Sequence, residues 1–262
     1  MYFIDFHSHV YPDAIAPKAA DSIREFYQLG DDAMDGKVQT LLENGTKAGI
    51  EKFVILPVAL RPSRTRHIND FILAQVAEQP RFYGYGTIHA GMDNICGEVE
   101  YIMEKGLLGL KMHPDSQVFA IDDPRLFPVY DMIGDKLPIL FHMGDHRFDY
   151  SHPQRLRKVL DLFPRLRVIA AHFGGYSMYD VAAEVLYDKE CFFDVSSSLM
   201  FMQEGEAERY INHYGAQRFV YGSDFPMWDP VVEMERFMKL KLTDDQKEQI
   251  AHITAEGILG IK

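Results

Sequence analysis

The chain has 262 residues, 47% of them hydrophobic and 25% charged, a balance that excludes wholesale disorder and suits a globular fold. Lys plus Arg number 27 against 39 Asp plus Glu, and the net charge of −12 sets the average field against nucleic acid and anionic membrane. Two cysteines are too few for a disulfide scaffold and fit a reducing cytosol, while 11 histidines call for an explanation.

The first ten residues, MYFIDFHSHV, place acid and histidine where a signal peptide has Lys or Arg before an apolar run. Apolar stretches such as 53–60 fall short of the roughly 18 residues a membrane span needs. A cytoplasmic protein is expected. Short β-rich runs then follow in chain order at 2–9, 52–58, 82–89, 107–113, 137–142, 167–172, 192–196 and 219–224. They are rich in Val, Ile, Phe and Leu, and several end in Gly or Pro, as buried parallel strands do.

Helical periodicity lies between them. At 68–78 the residues Ile68, Phe71, Ile72, Val76 and Ala77 keep i, i+3, i+4 spacing, and 99–105, 153–162, 179–189 and 231–240 read similarly. Ser151 is the expected cap of the helix after the fifth run. Segments 243–253 and 255–261 read as extra helix at the C-terminal end. Eight strand–helix units in a chain near the typical length of about 250 residues predict an α/β fold, a (β/α)8 TIM barrel, as one domain over 1–262. The connections 11–35 and 144–151 are longer than a barrel requires and leave the C-terminal strand ends, the face where barrel enzymes carry their sites.

His7 and His9 sit two apart on the first strand. Residues i and i+2 share a side at a Cα separation of about 6.6 Å, so two imidazoles can converge on one cation. Neutral imidazole suits Zn, Fe, Ni or Mn. A single His-x-His is weak evidence, but His142 ends the fifth run, His172 the sixth, and Asp224 the eighth. One buried histidine is commonly a satisfied core residue; several at strand ends predict a metal ring at the barrel mouth.

These residues, together with Gly109-Leu110-Lys111-Met112-His113-Pro114, Ala171-His172-Phe173-Gly174-Gly175 and Tyr221-Gly222-Ser223-Asp224-Phe225-Pro226, resemble the amidohydrolase superfamily of metal-dependent barrels. More narrowly they resemble its amidohydrolase-related (amidohydrolase 2) branch. That branch holds hydrolases, lactonases, hydratases and decarboxylases similar to the aminocarboxymuconate-semialdehyde and resorcylate enzymes. The resemblance implies that His7, His9 and His142 ligate a divalent metal, with Asp224 a further ligand or the carboxylate that takes a proton from metal-bound water. It makes His172 the second acid/base or electrophile. One divalent ion is expected, Zn first with Mn, Fe or Ni as alternatives, ahead of a second metal bridged by a carboxylated Lys111. Lys111 and His113 share a side of strand four and are expected inward, on the substrate, against the reading of Lys111 as a solvated or ion-paired residue.

The loop 61–67 carries Arg61, Arg64 and Arg66, which can dock a carboxylate or phosphate, or can be a solvated loop. Asp145, His146 and Arg147 form a similar cluster. Asp194, Ser196, Phe225 and Trp228 read as packing or support around the site. No Gly-x-Gly-x-x-Gly, Gly-x-x-x-x-Gly-Lys or Gly-x-Ser-x-Gly pattern is present. The expected function is therefore a metal-dependent hydrolase in which metal-activated water attacks an amide, ester or lactone bond of a small, anionic molecule. The alternatives are a metal-dependent decarboxylase of a small unsaturated or aromatic acid, and a non-catalytic metal-binding barrel. The partner is a small molecule, with no nucleic acid or membrane, and a homo-oligomer is left open.

Overall fold

A computed structural model describes residues 1–28 and 34–261. Part of the connection expected at 11–35 therefore lies outside the described residues, as does Lys262. The strands are β1 (Phe3–Ser8), β2 (Ile50–Ile55), β3 (Phe82–Gly84), β4 (Gly86–Thr87), β5 (Leu110–Met112), β6 (Ile139–Phe141), β7 (Val168–Ala170), β8 (Phe192–Asp194) and β9 (Phe219–Val220). Each falls within or overlaps one of the predicted runs. The run 82–89 is split in two at Tyr85, whose ring covers Gly109 so closely that a Cβ there would meet it at 2.3 Å.

By its internal packing the chain divides into two compact units, residues 1–56 with 195–262, and residues 57–194. In the first, β1 pairs parallel with β2 in the register Phe3↔Ile50, Ile4↔Lys52, Asp5↔Phe53 and Ser8↔Ile55. On its other edge β1 meets the segment after β9: Phe6 N donates to Tyr221 O at 2.8 Å and His9 N to Phe225 O at 2.7 Å. With neighbours on both edges and side chains packed on both faces, all six residues of β1 are buried. Beneath it, Phe3, Tyr221 and Phe237 pack edge to face with centroids 5.3 to 5.9 Å apart.

In the second unit, β4 to β8 pair parallel in sequence order, with Thr87↔Lys111, Lys111↔Leu140, Leu140↔Ile169 and Ile169↔Phe192 on one level. Helices Thr65–Glu78, Ile95–Glu104, Pro153–Leu162 and Tyr179–Val185 connect strands where periodicity placed them. Asn69 ties the first of these to β4, accepting from Thr87 N at 2.8 Å and donating to Thr87 O at 3.0 Å.

Several helices were not expected, among them Ala16–Tyr27, Val38–Lys47 and Glu206–Tyr214. None of the three has a side-chain N-cap, so the usual start signal is missing. Val38–Lys47 also carries Gly45, which reads as a breaker but is required because a Cβ would sit 2.2 Å from Phe53 Cζ. Ser151 does not cap the helix at 153. The cap is His152, whose Nδ1 accepts from Gln154 N at 3.1 Å, while Ser151 turns inward. The C-terminal end is helical as expected, in pieces Asp244–Glu248, Gln249–Ile253 and Thr254–Leu259.

Glu233, on helix Pro230–Met238, gives the first unit a pH dependence. Burial pushes its pKa up from 4.5 to about 7; Arg236 pulls it down, and the Asp224 and Asp5 charges push it further up. Its stabilising contribution is thus complete below 4.5 and is lost as pH rises through about 7. Glu233→Gln, which keeps an acceptor for Arg236, is expected to raise the melting temperature by about 2–6 °C at pH 8 and to give no gain at pH 4. Thermal melts at the two pH values check this.

Candidate metal centre

The alternation of β1 turns Asp5, His7 and, just past its end, His9 to one side. His7 Nε2 and His9 Nε2 are 3.2 Å apart, and Asp224 Oδ1 lies 3.4 Å from each. Two donors each about 2.1 Å from one ion stand about 3.0 Å apart in octahedral and about 3.4 Å apart in tetrahedral geometry. The three donor atoms are therefore spaced as ligands of a single ion.

The far ring nitrogens support the same conclusion. His9 Nδ1 lies 2.6 Å from Leu56 O; a carbonyl only accepts, so Nδ1 carries the proton and neutral His9 presents a lone pair at Nε2. His7 Nδ1 meets Ser196 Oγ at 3.1 Å. All three side chains are buried, with His9 and Asp224 each 8% exposed. This buried pair of imidazoles and a carboxylate fits a divalent cation of the Zn or Mn type.

Asp224 is brought there by a backbone in the left-handed region, φ 59°, whose N–H donates to His7 O at 2.7 Å. The preceding Ser223 is held by Asp5, which accepts from Ser223 N at 3.0 Å and Ser223 Oγ at 2.6 Å. Burial pushes the Asp5 pKa up to about 6 in spite of these bonds. Tyr11 is influenced by the same place: burial, then the Asp224 charge, raises its hydroxyl pKa.

The other expected residues lie in the second unit. His142 Nδ1 and His172 Nε2 are 3.0 Å apart, and His142 Nε2 is 3.7 Å from Asp115 Oδ2. His172 takes φ 59° and its N–H donates to Asp194 at 2.9 Å. His113 stacks on His142 with centroids 3.9 Å apart and planes 8° apart. Nearly parallel ring planes do not meet, so His113 and His142 are poorly aimed at one ion, although the ligand atoms of His113, Asp115 and His142 lie within 4.8 Å of one another. Asp115 also accepts from Ser151 N and Ser151 Oγ; burial outweighs these bonds and pushes its pKa up to about 6.

Lys111 is 1% exposed, which removes the solvated reading, and His113 is half-buried. Arg61 and Arg64 are exposed on the loop and its short helical turn, Pro62–Arg64. Arg66 is a packing cation: it contacts both oxygens of buried Glu98 at 3.0 and 3.2 Å and lies 3.5 Å over the Tyr101 ring. Arg147 is likewise committed to buried Asp145 at 2.9 and 3.1 Å; burial opposes ionisation of Asp145, but these bonds hold its pKa low. Asp115, Ser151 and Ser197 were missed, and only a knowledge of the turns around them would reveal them.

The model of the amidohydrolase family (Amidohydro_2) matches residues 4–261, and the chain belongs to that family. A TIM-barrel protein of Bordetella bronchiseptica is similar at 22% identity and TM-score 0.85, over 99% of each chain. The 5-carboxyvanillate decarboxylase of Sphingomonas paucimobilis is similar at 16% identity and TM-score 0.75, over 100% of this chain and 99% of that one. A dihydroxybenzoic acid decarboxylase of a Polaromonas species, solved with bound manganese and the inhibitor 2-nitroresorcinol, is similar at 17% identity and TM-score 0.75, over 99% and 97%. No curated protein sequence matches the chain. Likeness at this level shows the fold, the expected TIM barrel. Among the described residues no helix is long and apolar enough to cross a membrane.

Proposed function

We propose that the protein is a metal-dependent decarboxylase of a small aromatic or unsaturated carboxylic acid, working as one catalytic domain over 1–262. The observation that carries this reading is the spacing of His7 Nε2, His9 Nε2 and Asp224 Oδ1 as ligands of one ion. The lyase, rather than the hydrolase expected from sequence, is supported by end-to-end likeness to decarboxylases of aromatic acids. Manganese bound in such neighbours supports trying Mn beside Zn first.

A divalent ion at the triad would supply positive charge that orients the acid and draws off electron density as charge develops. His7, His9 and Asp224 would hold it, and the resemblance implies His142 as a further ligand. Loss of carbon dioxide breaks one carbon–carbon bond and leaves its electron pair on carbon, which must take up a proton. We assign that delivery to His172, whose Nε2 shares a close contact with His142 Nδ1. Lys111 and His113 are assigned to the substrate's anionic group, and exposed Arg61 and Arg64 to its approach.

A second reading keeps the same triad: Asp224 accepts a proton from a water that attacks an amide, ester or lactone carbonyl. It is favoured by the carboxylate's place beside both imidazoles. The two are separated by incubating the Mn- or Zn-loaded protein with hydroxybenzoates and unsaturated acids. Carbon dioxide released in step with acid consumed is expected. Acid release from an ester or lactone panel without carbon dioxide would favour the hydrolase, and inertness to both panels the non-catalytic barrel.

A further inference from the structure

The two oxygens of Asp224 are treated differently. Oδ1 faces the imidazoles of His7 and His9, whereas Oδ2 accepts a short hydrogen bond from Ser197 Oγ. Ser197 Oγ in turn accepts from Trp228 Nε1 at 2.8 Å. Both directions are forced, because an indole N–H only donates and the serine's single proton is left for the carboxylate. Ser197, Asp224 and Trp228 are all buried.

The backbone is bent to make this contact. Ser197 has φ 50° and Asp224 φ 59°, two non-glycine residues in the left-handed region joined through their side chains. Such conformations persist where the surroundings over-determine them, and they gather at functional sites. The neighbouring serines complete the support: Ser196 Oγ meets His7 Nδ1 at 3.1 Å, and Ser198 Oγ donates to Ser196 O at 2.9 Å. One serine tripeptide thus reaches two of the three triad residues.

We propose that Trp228 and Ser197 are positioning residues for Asp224. The relay from Trp228 Nε1–H through Ser197 Oγ–H to Asp224 Oδ2 commits that oxygen and turns Oδ1 towards the ion, making the carboxylate a one-oxygen ligand. The inference rests on the metal-centre reading above. It also gives the centre a built-in reporter, since Trp228 is the only tryptophan in the chain. Any ion that pulls on Asp224 pulls on the hydrogen bonding of that indole.

The test uses the full chain, stripped with a chelator and titrated with Zn2+, which is redox-silent and diamagnetic. Heat of binding and tryptophan emission are read together. The unmodified protein is expected to show a saturable emission change with the same midpoint as the heat. Ser197→Ala is expected to weaken Zn2+ binding by about 10- to 100-fold, the range for loss of a ligand's outer partner, and to uncouple the emission from the heat. Ser197→Gly removes the hydroxyl while easing the backbone at φ 50°, so the same loss in both variants is not a folding defect. Trp228→Phe, read by heat alone, is expected to weaken binding by a smaller factor. Wild-type affinity in both Ser197 variants would overturn the proposal while leaving the metal centre standing. An unmodified protein that takes up no Zn2+ or Mn2+ would overturn the metal-centre reading and this proposal with it.

Discussion

Replacing His7 and His9 together by alanine is expected to take metal content from about one ion per chain to none and to reduce turnover by at least about a thousandfold, the equivalent of several kcal/mol of lost charge stabilisation. The two Nε2 atoms are two of the three donors spaced for one ion; His7 sits on a strand anchored along each edge and His9 just past its end, where its N–H donates to Phe225 O. Elemental analysis and a turnover assay on the same preparation, with circular dichroism to confirm folding, make the check. Full metal occupancy in the double variant would refute the assignment of the triad.

Gly144→Ala is expected to cost about 3 kcal/mol or more of stability, or roughly 6–12 °C in melting temperature. Gly144 has φ 76°, and a Cβ would lie 2.3 Å from Gly175 Cα and 2.8 Å from its carbonyl carbon. Neither backbone can retreat. Gly144 N donates to Ser151 O at 3.0 Å, Tyr176 N to Met143 O at 2.8 Å, and Ser177 N to Gly144 O at 3.1 Å. The clash is close in sequence to both His142 and His172, so activity should fall along with stability. A melting temperature within about 2 °C of the wild type would show that the two segments are looser than their hydrogen bonds imply.

Much of this was legible in the sequence because parallel strands announce themselves as short apolar runs and end in the residues that carry chemistry. The sequence reading put His7, His9, His142, His172 and Asp224 in one ring at the strand ends; the structure brings His7, His9 and Asp224 within 3.4 Å in the first unit and His142 to 3.0 Å from His172 in the second. What stayed hidden depends on contacts distant in sequence. Arg66 was open to an anion-docking or a solvated reading, and neither could find its partner Glu98, 32 positions away. Ser151 looked like a helix cap because nothing local says that Asp115, 36 positions earlier, draws it inward. The bond from Ser197 to Asp224 needs two left-handed residues that no composition rule places at serine and aspartate. The helices Ala16–Tyr27 and Glu206–Tyr214 carry no capping side chain to mark where they start.

The first compact unit is assembled from the two ends of the chain, 1–56 and 195–262. His7 and His9 come from the first of these stretches and Asp224, 217 residues after His7, from the second. An ion held by all three would join the two stretches and stabilise the unit by mass action, so that its folding and its metal binding become one linked equilibrium.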